Sequence, residues 1–259
     1  MIKITVLGCG TSQGVPVIGC ECEVCKSKDP RDMRTRTSII VENESTAVCI
    51  DCGPDFRQQM LREGITHLDA VLITHHHKDH IGGLDDLRPL EFRQGISMPI
   101  YASEDAQDEI KREYSYAFVE KNKLYPGAPT FDLHTIEDYK PIIINDLTFI
   151  PIPMLHLKML CYAFRIGSFA YVTDLSYISE EGVEALKGVD YLIIEALHHE
   201  KHYSHINLEQ AVNLSRRIGA RHTWFTHCSH HIGLAADVNK TLPKGMKLAY
   251  DGLQIEVGN

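Results

Sequence analysis

The sequence contains no apolar segment long enough to cross a membrane as a helix. A membrane helix needs roughly 20 consecutive apolar residues, and the stretch 147–164 is interrupted by two prolines, His156 and Lys158. Residues 1–7 are too few, and too similar to a β-strand, to act as a signal peptide. We therefore expect a cytoplasmic protein without a membrane partner.

Basic residues are too few for a surface that follows a nucleic-acid backbone. Lys and Arg number 26 against 35 Asp and Glu, which gives a net charge of −9. Proteins that track long phosphate backbones usually present a basic face, so we do not expect nucleic acid as a partner. A small anionic substrate is compatible with this charge, because bound metal ions can dominate the local field.

No linker, low-complexity segment or repeat divides the chain, so we expect a single domain covering residues 1–259. Strands dominate the pattern and helices separate them, which indicates an α+β protein with packed sheets and helices outside. Asp251-Gly252 is predicted to be a hairpin turn between the last two strands. The segment 113–134 is expected to cover part of the pocket. The predicted strands are 2–7, 37–41, 46–50, 70–73, 142–145, 147–151, 162–166, 169–173, 191–195, 223–226, 248–250 and 253–257, and the predicted helices are 56–63, 104–116, 180–187 and 208–218.

Eight cysteines in a chain expected in the cytoplasm do not indicate a disulfide framework. Five are scattered and are interpreted mainly as small buried residues. Cys20, Cys22 and Cys25 are bunched in one loop. Three thiolates at this spacing indicate a structural zinc, which needs a fourth ligand, and His230 is the candidate. The alternative is three cysteines that bind no metal.

The fifteen histidines are also clustered. The predicted strand 70–73 is followed by the run HHHKDH at 75–80. His75 and His77 project from the same side of an extended segment, and Asp79 and His80 are offset towards a second metal. Zinc favours imidazole and carboxylate ligands. The alternative is an exposed polar loop in which the histidines coincide by chance.

Three further candidate ligands stand singly at the ends of predicted strands. His156 follows strand 147–151, Asp174 closes strand 169–173, and His227 follows strand 223–226. A single histidine among apolar residues is more often a core residue than a ligand. Together with the run at 75–80, the three predict a site for two divalent ions, zinc or manganese.

The complete pattern, THxHxDH at 74–80 with the three single residues, resembles the metallo-β-lactamase superfamily. The resemblance covers the whole chain and includes Asp51, which in that superfamily supports the metal loop. It implies an αββα four-layer sandwich with the metals at one edge of the sheets. By position it implies that His75, His77 and His156 hold the first metal, that Asp79, His80 and His227 hold the second, and that Asp174 bridges both.

The segment GTSQGVP at 10–16, followed by the three cysteines, resembles the PhnP-type phosphodiesterases, which act on phosphoribosyl cyclic phosphate. Those proteins carry a structural zinc bound by three such cysteines and a histidine of a Thr-His-x-Ser-His motif. The motif is THCSH at 226–230 here, which implies that His230, rather than its competitor His231, completes the zinc site. The resemblance also implies that His205 lies near the substrate phosphate, as a general acid or as a donor to a non-bridging oxygen. Its alternative role is packing or capping at the start of a helix.

These patterns predict a metal-dependent phosphodiesterase that acts on a small phosphodiester, linear or cyclic, including the phosphoribosyl type. Hydroxide bridging two metals would attack the phosphorus, with Asp79 and His205 as catalytic residues, and no motif for a serine or cysteine nucleophile is present. One alternative is an RNA-processing nuclease of the same superfamily, although the chain has no long basic arm. Another is a non-catalytic metal-binding protein, which the complete ligand set disfavours. The resemblance further suggests a homodimer.

Overall fold

Two seven-stranded sheets form the centre of the molecule in the computed structural model, which describes residues 1–120 and 125–258. Residues 121–124, part of the segment expected to cover the pocket, lie outside the described residues, and that expectation stays a prediction. The strands are β1 (Ile2–Gly8), β2 (Ser38–Glu42), β3 (Ala47–Ile50), β4 (Ala70–Leu72), β5 (Met98–Ala102), β6 (Phe131–Thr135), β7 (Ile142–Ile144), β8 (Leu147–His156), β9 (Met159–Ile166), β10 (Phe169–Val172), β11 (Tyr191–Glu195), β12 (His222–Thr226), β13 (Met246–Leu248) and β14 (Gln254–Val257).

Each sheet is antiparallel in one half and parallel in the other. The first has the strand order β14-β1-β2-β3-β4-β5-β6 and is parallel from β3 to β6. The second has the order β13-β12-β11-β10-β9-β8-β7 and is parallel from β10 to β13. The carboxyl ends of parallel strands meet at one edge of a sheet, so each sheet has one edge at which several strands end together.

The helices lie on the outer faces of the two sheets. Apolar side chains from both sheets form a central core that includes Ile39, Phe149 and Phe164. A second core lies between the first sheet and its helices, and a third between the second sheet and its helices. The predicted αββα four-layer sandwich is therefore confirmed. The helices are α1 (Glu23–Lys26), α2 (Phe56–Glu63), α3 (Lys78–Ile81), α4 (Arg88–Gln94), α5 (Glu104–Glu113), α6 (Glu180–Leu186), α7 (Leu208–Ile218) and α8 (Ala235–Thr241).

The predicted hairpin at Asp251-Gly252 is wrong. The two residues do form a turn, with Gly252 at a φ of 87°, but β13 pairs with β12 in the second sheet and β14 pairs with β1 in the first. The turn therefore carries the chain from one sheet to the other. The Asp251 carboxylate fixes this crossing by accepting hydrogen bonds from the backbone N–H groups of Cys9 and Thr35. A turn motif reports the local bend only, and the partners of the flanking strands are chosen by distant residues.

Strand β8 is longer than predicted, because it continues through Pro151 and Pro153 to His156. Its antiparallel register with β9 runs without interruption from Ile150 to His156. On its other side, β7 pairs only with residues 147–149, so this edge of β8 needs no N–H donor where the prolines stand. His156 is thus the last residue of a strand rather than part of a loop.

None of the helices in the described ranges is both long enough and apolar enough to span a membrane.

Candidate metal centre

The loop after β4 carries four of the predicted ligands. His75 and His77 follow the strand; His75 is fully buried, and His77 has extended backbone. The short helix α3 then begins, with His77 as its N-cap residue, and it brings Asp79 and His80 round to the same side. His75 Nε2 lies 3.1 Å from His77 Nδ1. The run predicted from the sequence is therefore arranged as two adjacent sets of donors.

Asp51, at the end of the neighbouring strand β3, holds this loop in place. Its carboxylate accepts hydrogen bonds from the backbone N–H and the hydroxyl of Thr74, and Oδ2 lies 2.7 Å from His80 Nδ1. This contact fixes the His80 ring so that Nε2 faces the other ligands. Gly53 packs against the carbonyl of Asp79 so closely that a Cβ would collide with it.

The second sheet supplies the other three predicted ligands. His156 ends β8, and Asp174 and His227 each follow a strand of the parallel half by one or two residues. Asp174 Oδ2 lies 3.1 Å from His80 Nε2, and Asp174 Oδ1 lies 3.3 Å from His227 Nε2. Two ligands of a tetrahedral zinc with bonds of about 2.0–2.1 Å lie about 3.3 Å apart, which matches these distances.

The structure brings all seven predicted dinuclear-site residues together at the facing edges of the two sheets. Asp174 also lies 3.9 Å from His75 Nε2, so its two oxygens approach both sets of donors. Their donor atoms fall within 4.8 Å of one another in the sets His75-His77-His156, Asp79-His80-His227 and His75-His80-Asp174. This grouping corresponds to a first site, a second site and a bridging carboxylate.

Among the described residues, several buried nitrogen atoms of the cluster have no hydrogen-bond partner. They include His80 Nε2, His156 Nδ1 and both ring nitrogens of His227. An unsatisfied buried polar group costs about 1–3 kcal/mol, and this cost is relieved when the nitrogen lone pair binds a metal ion. Imidazoles converging on carboxylate oxygens suit zinc or manganese. The residues present therefore fit two divalent ions.

The electrostatics of the cluster favour cations. Burial opposes ionisation of Asp174, but the nearby imidazoles of His227 and His80 hold its pKa well below the usual range. Burial likewise opposes a charged His80, yet its carboxylate neighbours raise the pKa well above the ordinary value. The carboxylates thus stay ionised and draw positive charge, carried either by protons on imidazole or by metal ions that displace them.

In the first set of donors, the pKa values of the histidines are lowered, whereas that of His80 in the second set is raised. Burial is the main cause of the lowered pKa values. It lowers the pKa of His75 well below its usual value, lowers that of His77, and lowers that of His156 to about 4. These three rings are therefore neutral at pH 7, and a neutral imidazole is the form that binds a metal.

His205 adjoins the cluster and forms a close pair with Glu195. Its ring centroid lies 4.7 Å from that of His156 and 4.9 Å from that of His227. His205 Nδ1 lies 2.8 Å from Oε2 of Glu195, which is fully buried at the end of β11. Glu195 also accepts a hydrogen bond from the backbone N–H of Leu175.

Glu195 is the site residue that the sequence prediction missed. Its strand was predicted correctly, but nothing along the chain links it to Asp174. The link becomes visible only in the pairing of β10 with β11, which places the ends of the two parallel strands side by side. Burial and the Asp174 charge raise the pKa of Glu195 well above its usual range, while burial lowers the pKa of His205 to about 4.

Cys20, Cys22 and Cys25 lie close to His230 and form a second group of possible metal ligands with it. His230 Nδ1 lies 3.3, 3.4 and 3.5 Å from the sulfur atoms of Cys20, Cys22 and Cys25, although these residues are more than 200 positions apart in the chain. Backbone N–H groups of Cys25 and Val17 point at two of the sulfurs. The four donors fit a tetrahedral zinc, and His231 is outside the set.

Comparisons with known proteins identify a family and similar folds. A family model described as a β-lactamase superfamily domain matches residues 46–228. A crystal structure described as a new diphosphatase from the PhnP family is 42% identical and superposes with a TM-score of 0.91. The match covers 98% of this chain and 96% of that one. Zn²⁺-bound PqqB from Methylobacterium extorquens gives a TM-score of 0.78 over 98% of this chain and 100% of that one. At 19% identity, it supports the fold alone.

A longer protein is also similar. The octanoyltransferase of Porphyromonas gingivalis is 40% identical over 255 residues, which are 98% of this chain and 51% of that protein. The chain thus spans about half the length of this curated relative, whose name describes the longer protein. The family match, the similar PhnP-family structure and the fold together identify the chain as a member of the metallo-β-lactamase superfamily, of the PhnP type.

Proposed function

We propose that this protein is a metal-dependent phosphodiesterase that hydrolyses a small phosphodiester, either linear or cyclic and including the phosphoribosyl type. The observation that carries the proposal is the His205–Glu195 pair, which stands directly beside the seven clustered donors. A site that only binds metal ions does not require a buried pair of groups that can transfer a proton beside it.

The similar PhnP-family structure supports phosphorus chemistry. A diphosphatase cleaves at phosphorus, and hydrolysis of a diphosphate or of a phosphodiester breaks a bond between phosphorus and a bridging oxygen. Hydrolysis of either needs charge stabilisation on the phosphate oxygens and a proton for the departing oxygen.

The predicted ligands would hold two divalent ions, which supply positive charge to the phosphate oxygens and make hydroxide available at neutral pH. The chain's own residues do the rest. Asp174 keeps the two sets of donors at a fixed separation, and Asp51 keeps the His80 ring oriented. We assign Asp79 to the second set, where its carboxylate also faces His227. A predicted homodimer and a cytoplasmic location stay predictions.

The His205–Glu195 pair provides the proton. When the Glu195 carboxyl is protonated, it donates to His205 Nδ1, so that the ring carries its proton on Nε2. When the carboxyl is ionised, Nδ1 carries the proton. Because Glu195 has a raised pKa, the first arrangement gives His205 an N–H at the site, as the general acid for the leaving oxygen or as a donor to a phosphate oxygen.

The test is a substrate panel on the zinc- or manganese-loaded protein. It comprises bis(4-nitrophenyl) phosphate, phosphoribosyl and nucleoside cyclic phosphates, a diphosphate, a thioester and a β-lactam. We expect cleavage of the phosphorus substrates, and a loss of about 10²–10⁴ in kcat for His205→Ala. His222→Ala, an exposed histidine of β12, is the matched control. No turnover of any phosphorus compound with any divalent metal, or faster cleavage of the thioester or β-lactam, would refute the proposal.

A further inference from the structure

Three buried hydroxyl groups meet in the core between the two sheets. The Thr37 hydroxyl lies 3.0 Å from the Tyr171 hydroxyl and 2.9 Å from the Thr226 hydroxyl. All three side chains are fully buried, in a core that is otherwise mainly apolar. Thr37 directly precedes β2 of the first sheet, whereas Tyr171 lies in β10 and Thr226 ends β12, both in the second sheet. This hydroxyl cluster therefore joins the two sheets by hydrogen bonds.

On the side of the second sheet, the hydroxyl cluster adjoins two of the metal ligands. Thr226 directly precedes His227, and Tyr171 stands three residues before Asp174. Because β10 ends at Val172 and β12 ends at Thr226, only a short stretch of chain separates each hydroxyl-bearing residue from its ligand. A displacement of either residue would therefore move the backbone that carries a ligand.

On the side of the first sheet, the hydroxyl cluster adjoins the residue that supports the metal loop. The hydroxyl of Ser38, the residue after Thr37, donates a hydrogen bond of 2.8 Å to the backbone carbonyl of Asp51. The side chain of Asp51 in turn contacts His80 Nδ1. Burial and the nearby Asp51 charge also raise the pKa of Tyr171 well above its usual value, so the Tyr171 hydroxyl keeps its proton. Thr37 thus lies between the two halves of the dinuclear centre.

Stability alone does not require these hydroxyls. Exchanging mutually bonded buried groups for apolar groups of the same shape is often close to neutral for stability. A fully bonded polar network in a core instead restricts its members to one arrangement, because an unbonded hydroxyl is costly there. A hydroxyl has one proton and two lone pairs, so Thr37 can bond to both partners at once. The cluster therefore fixes the distance between the sheets at this point.

We propose that Thr37 is a positioning residue of the dinuclear centre, whose hydroxyl sets the separation of the two sheets where the metal ligands meet. It acts through Tyr171 and Thr226 rather than on a metal ion or a substrate. Through it, the donors on the loop after β4 keep the distance from Asp174 and His227 that a pair of bridged metal ions needs. The inference concerns the geometry of the metal centre and holds for any substrate.

Two substitutions of Thr37 separate the role of its hydroxyl from that of its methyl group. Thr37→Val keeps the shape and removes the hydroxyl, whereas Thr37→Ser keeps the hydroxyl and leaves a small cavity. Both should lower stability, Val because two buried hydroxyls lose their partner and Ser because packing is lost. Only Thr37→Val should weaken metal binding at the dinuclear centre, by about 10–100-fold for one of the two ions, as measured by competition with a chelator. Thr37→Ser should bind both ions as the wild type does.

Electron paramagnetic resonance of the manganese-loaded protein gives a second measurement, because the exchange coupling of two Mn²⁺ ions depends on their separation. The coupling should change in Thr37→Val and stay as in the wild type in Thr37→Ser. Tyr171→Phe removes one of the two contacts, so we expect a smaller change of the same kind. Tyr162→Phe is the matched control, because this buried tyrosine of the same core bonds to Asp138 instead. The zinc at the Cys20 site should be retained in every variant.

Unchanged metal affinity and unchanged coupling in Thr37→Val would overturn the inference. An equal change in Thr37→Ser would overturn it as well, since packing would then be the cause, and so would a wild-type protein that binds fewer than two ions at the centre. If Thr37→Val does not fold, Tyr171→Phe decides: a coupling that differs from that of Tyr162→Phe supports the inference, and an equal one refutes it. None of these measurements uses turnover, so they stay decisive if the proposed function fails.

Discussion

Three residues at the metal centre have left-handed backbone although none is glycine. Asp51, Asp174 and His227 have φ angles of 66°, 56° and 55°, and each follows a central strand. Such conformations cost of order 1–3 kcal/mol each and persist only where the surroundings enforce them. Here the sharp bend turns each side chain from the end of its strand towards a common point. Backbone strain is thus concentrated at two of the metal ligands and at the residue that supports the metal loop.

Asp51→Asn tests whether orienting His80 matters for metal binding. Asn keeps the size of the side chain, but its amide cannot match the carboxylate contact with His80 Nδ1, which is 2.7 Å in the native chain. Loss of such a supporting contact usually lowers metal affinity by about 10–100-fold. We expect this reduction at one of the two dinuclear-site ions, measured by competition with a chelator. The exposed Asp146→Asn is the control, and unchanged affinity in Asp51→Asn would show that His80 is oriented by other contacts.

The buried Glu91 of α4 should make the stability of the folded protein depend on pH. It is 2% exposed, its carboxylate accepts a hydrogen bond from the backbone N–H of Thr130, and burial raises its pKa from 4.5 to about 7. The folded state therefore holds this proton more tightly than the unfolded state, so its contribution to stability is full below about pH 4.5 and is lost as the pH rises to about 7. Glu91→Gln should remove this loss.

Urea unfolding at several pH values measures the effect. The stability of Glu91→Gln relative to the wild type should rise between pH 5 and pH 7, by no more than about 3 kcal/mol, and stay level above pH 7. Exposed Glu256→Gln controls for the removal of one carboxylate. A difference between Glu91→Gln and wild type that is the same at all pH values would contradict the raised pKa.

At the scale of elements, local signals predicted some boundaries to the residue. Helix α7 begins after Asn207, whose side chain and that of Gln210 form a capping box, and it ends at Gly219 in left-handed backbone. These are strong local signals. By contrast, β5 and β6 were not predicted, because each is only five residues long. They become strands through the pairing of β5 with β4 and of β6 with β5, which a local pattern does not contain.

The cysteine loop is joined to the rest of the molecule by two sets of contacts. One is the cluster of Cys20, Cys22, Cys25 and His230. The other is the buried Arg34, which donates hydrogen bonds to the carbonyls of Ser229 and Gly233. Both sets act on the turn that carries His230. This turn begins directly after His227, so the cysteine loop braces a segment of the dinuclear centre.

His230→Ala should remove one equivalent of zinc per chain and loosen the cysteine loop. Because the Arg34 contacts remain, we expect the protein to stay folded but to lose more than about 2 kcal/mol of stability. Trypsin should then cut faster at the exposed Lys26 and Lys28, as measured by mass spectrometry. His231→Ala is the matched control, since that ring lies beside His230 but outside the cluster. Full zinc content in His230→Ala would contradict the assignment.

At the scale of the whole molecule, the dinuclear centre joins the two sheets. Four of its donors come from the loop after β4 in the first sheet, and three come from the ends of strands in the second. The sequence could predict these seven residues because each is a distinctive residue type at the end of a strand. It could not predict Glu195, because only the pairing of β10 with β11 brings that residue beside Asp174.

Because the donors belong to both sheets, metal ions should stabilise the entire fold. A ligand that binds only the folded state adds about 2.7 kcal/mol when its concentration is 100 times Kd. For a protein of this size this corresponds to a rise of roughly 5–10 °C in Tm. We therefore expect chelation to lower Tm by at least this amount and added zinc to restore it, in differential scanning calorimetry. Asp174→Asn keeps the Cys20 site but loses the bridging carboxylate, so it should recover only part of the shift. A full recovery in Asp174→Asn would mean that the stabilising metal is the one at the cysteines, and that the two sheets hold together without the dinuclear centre.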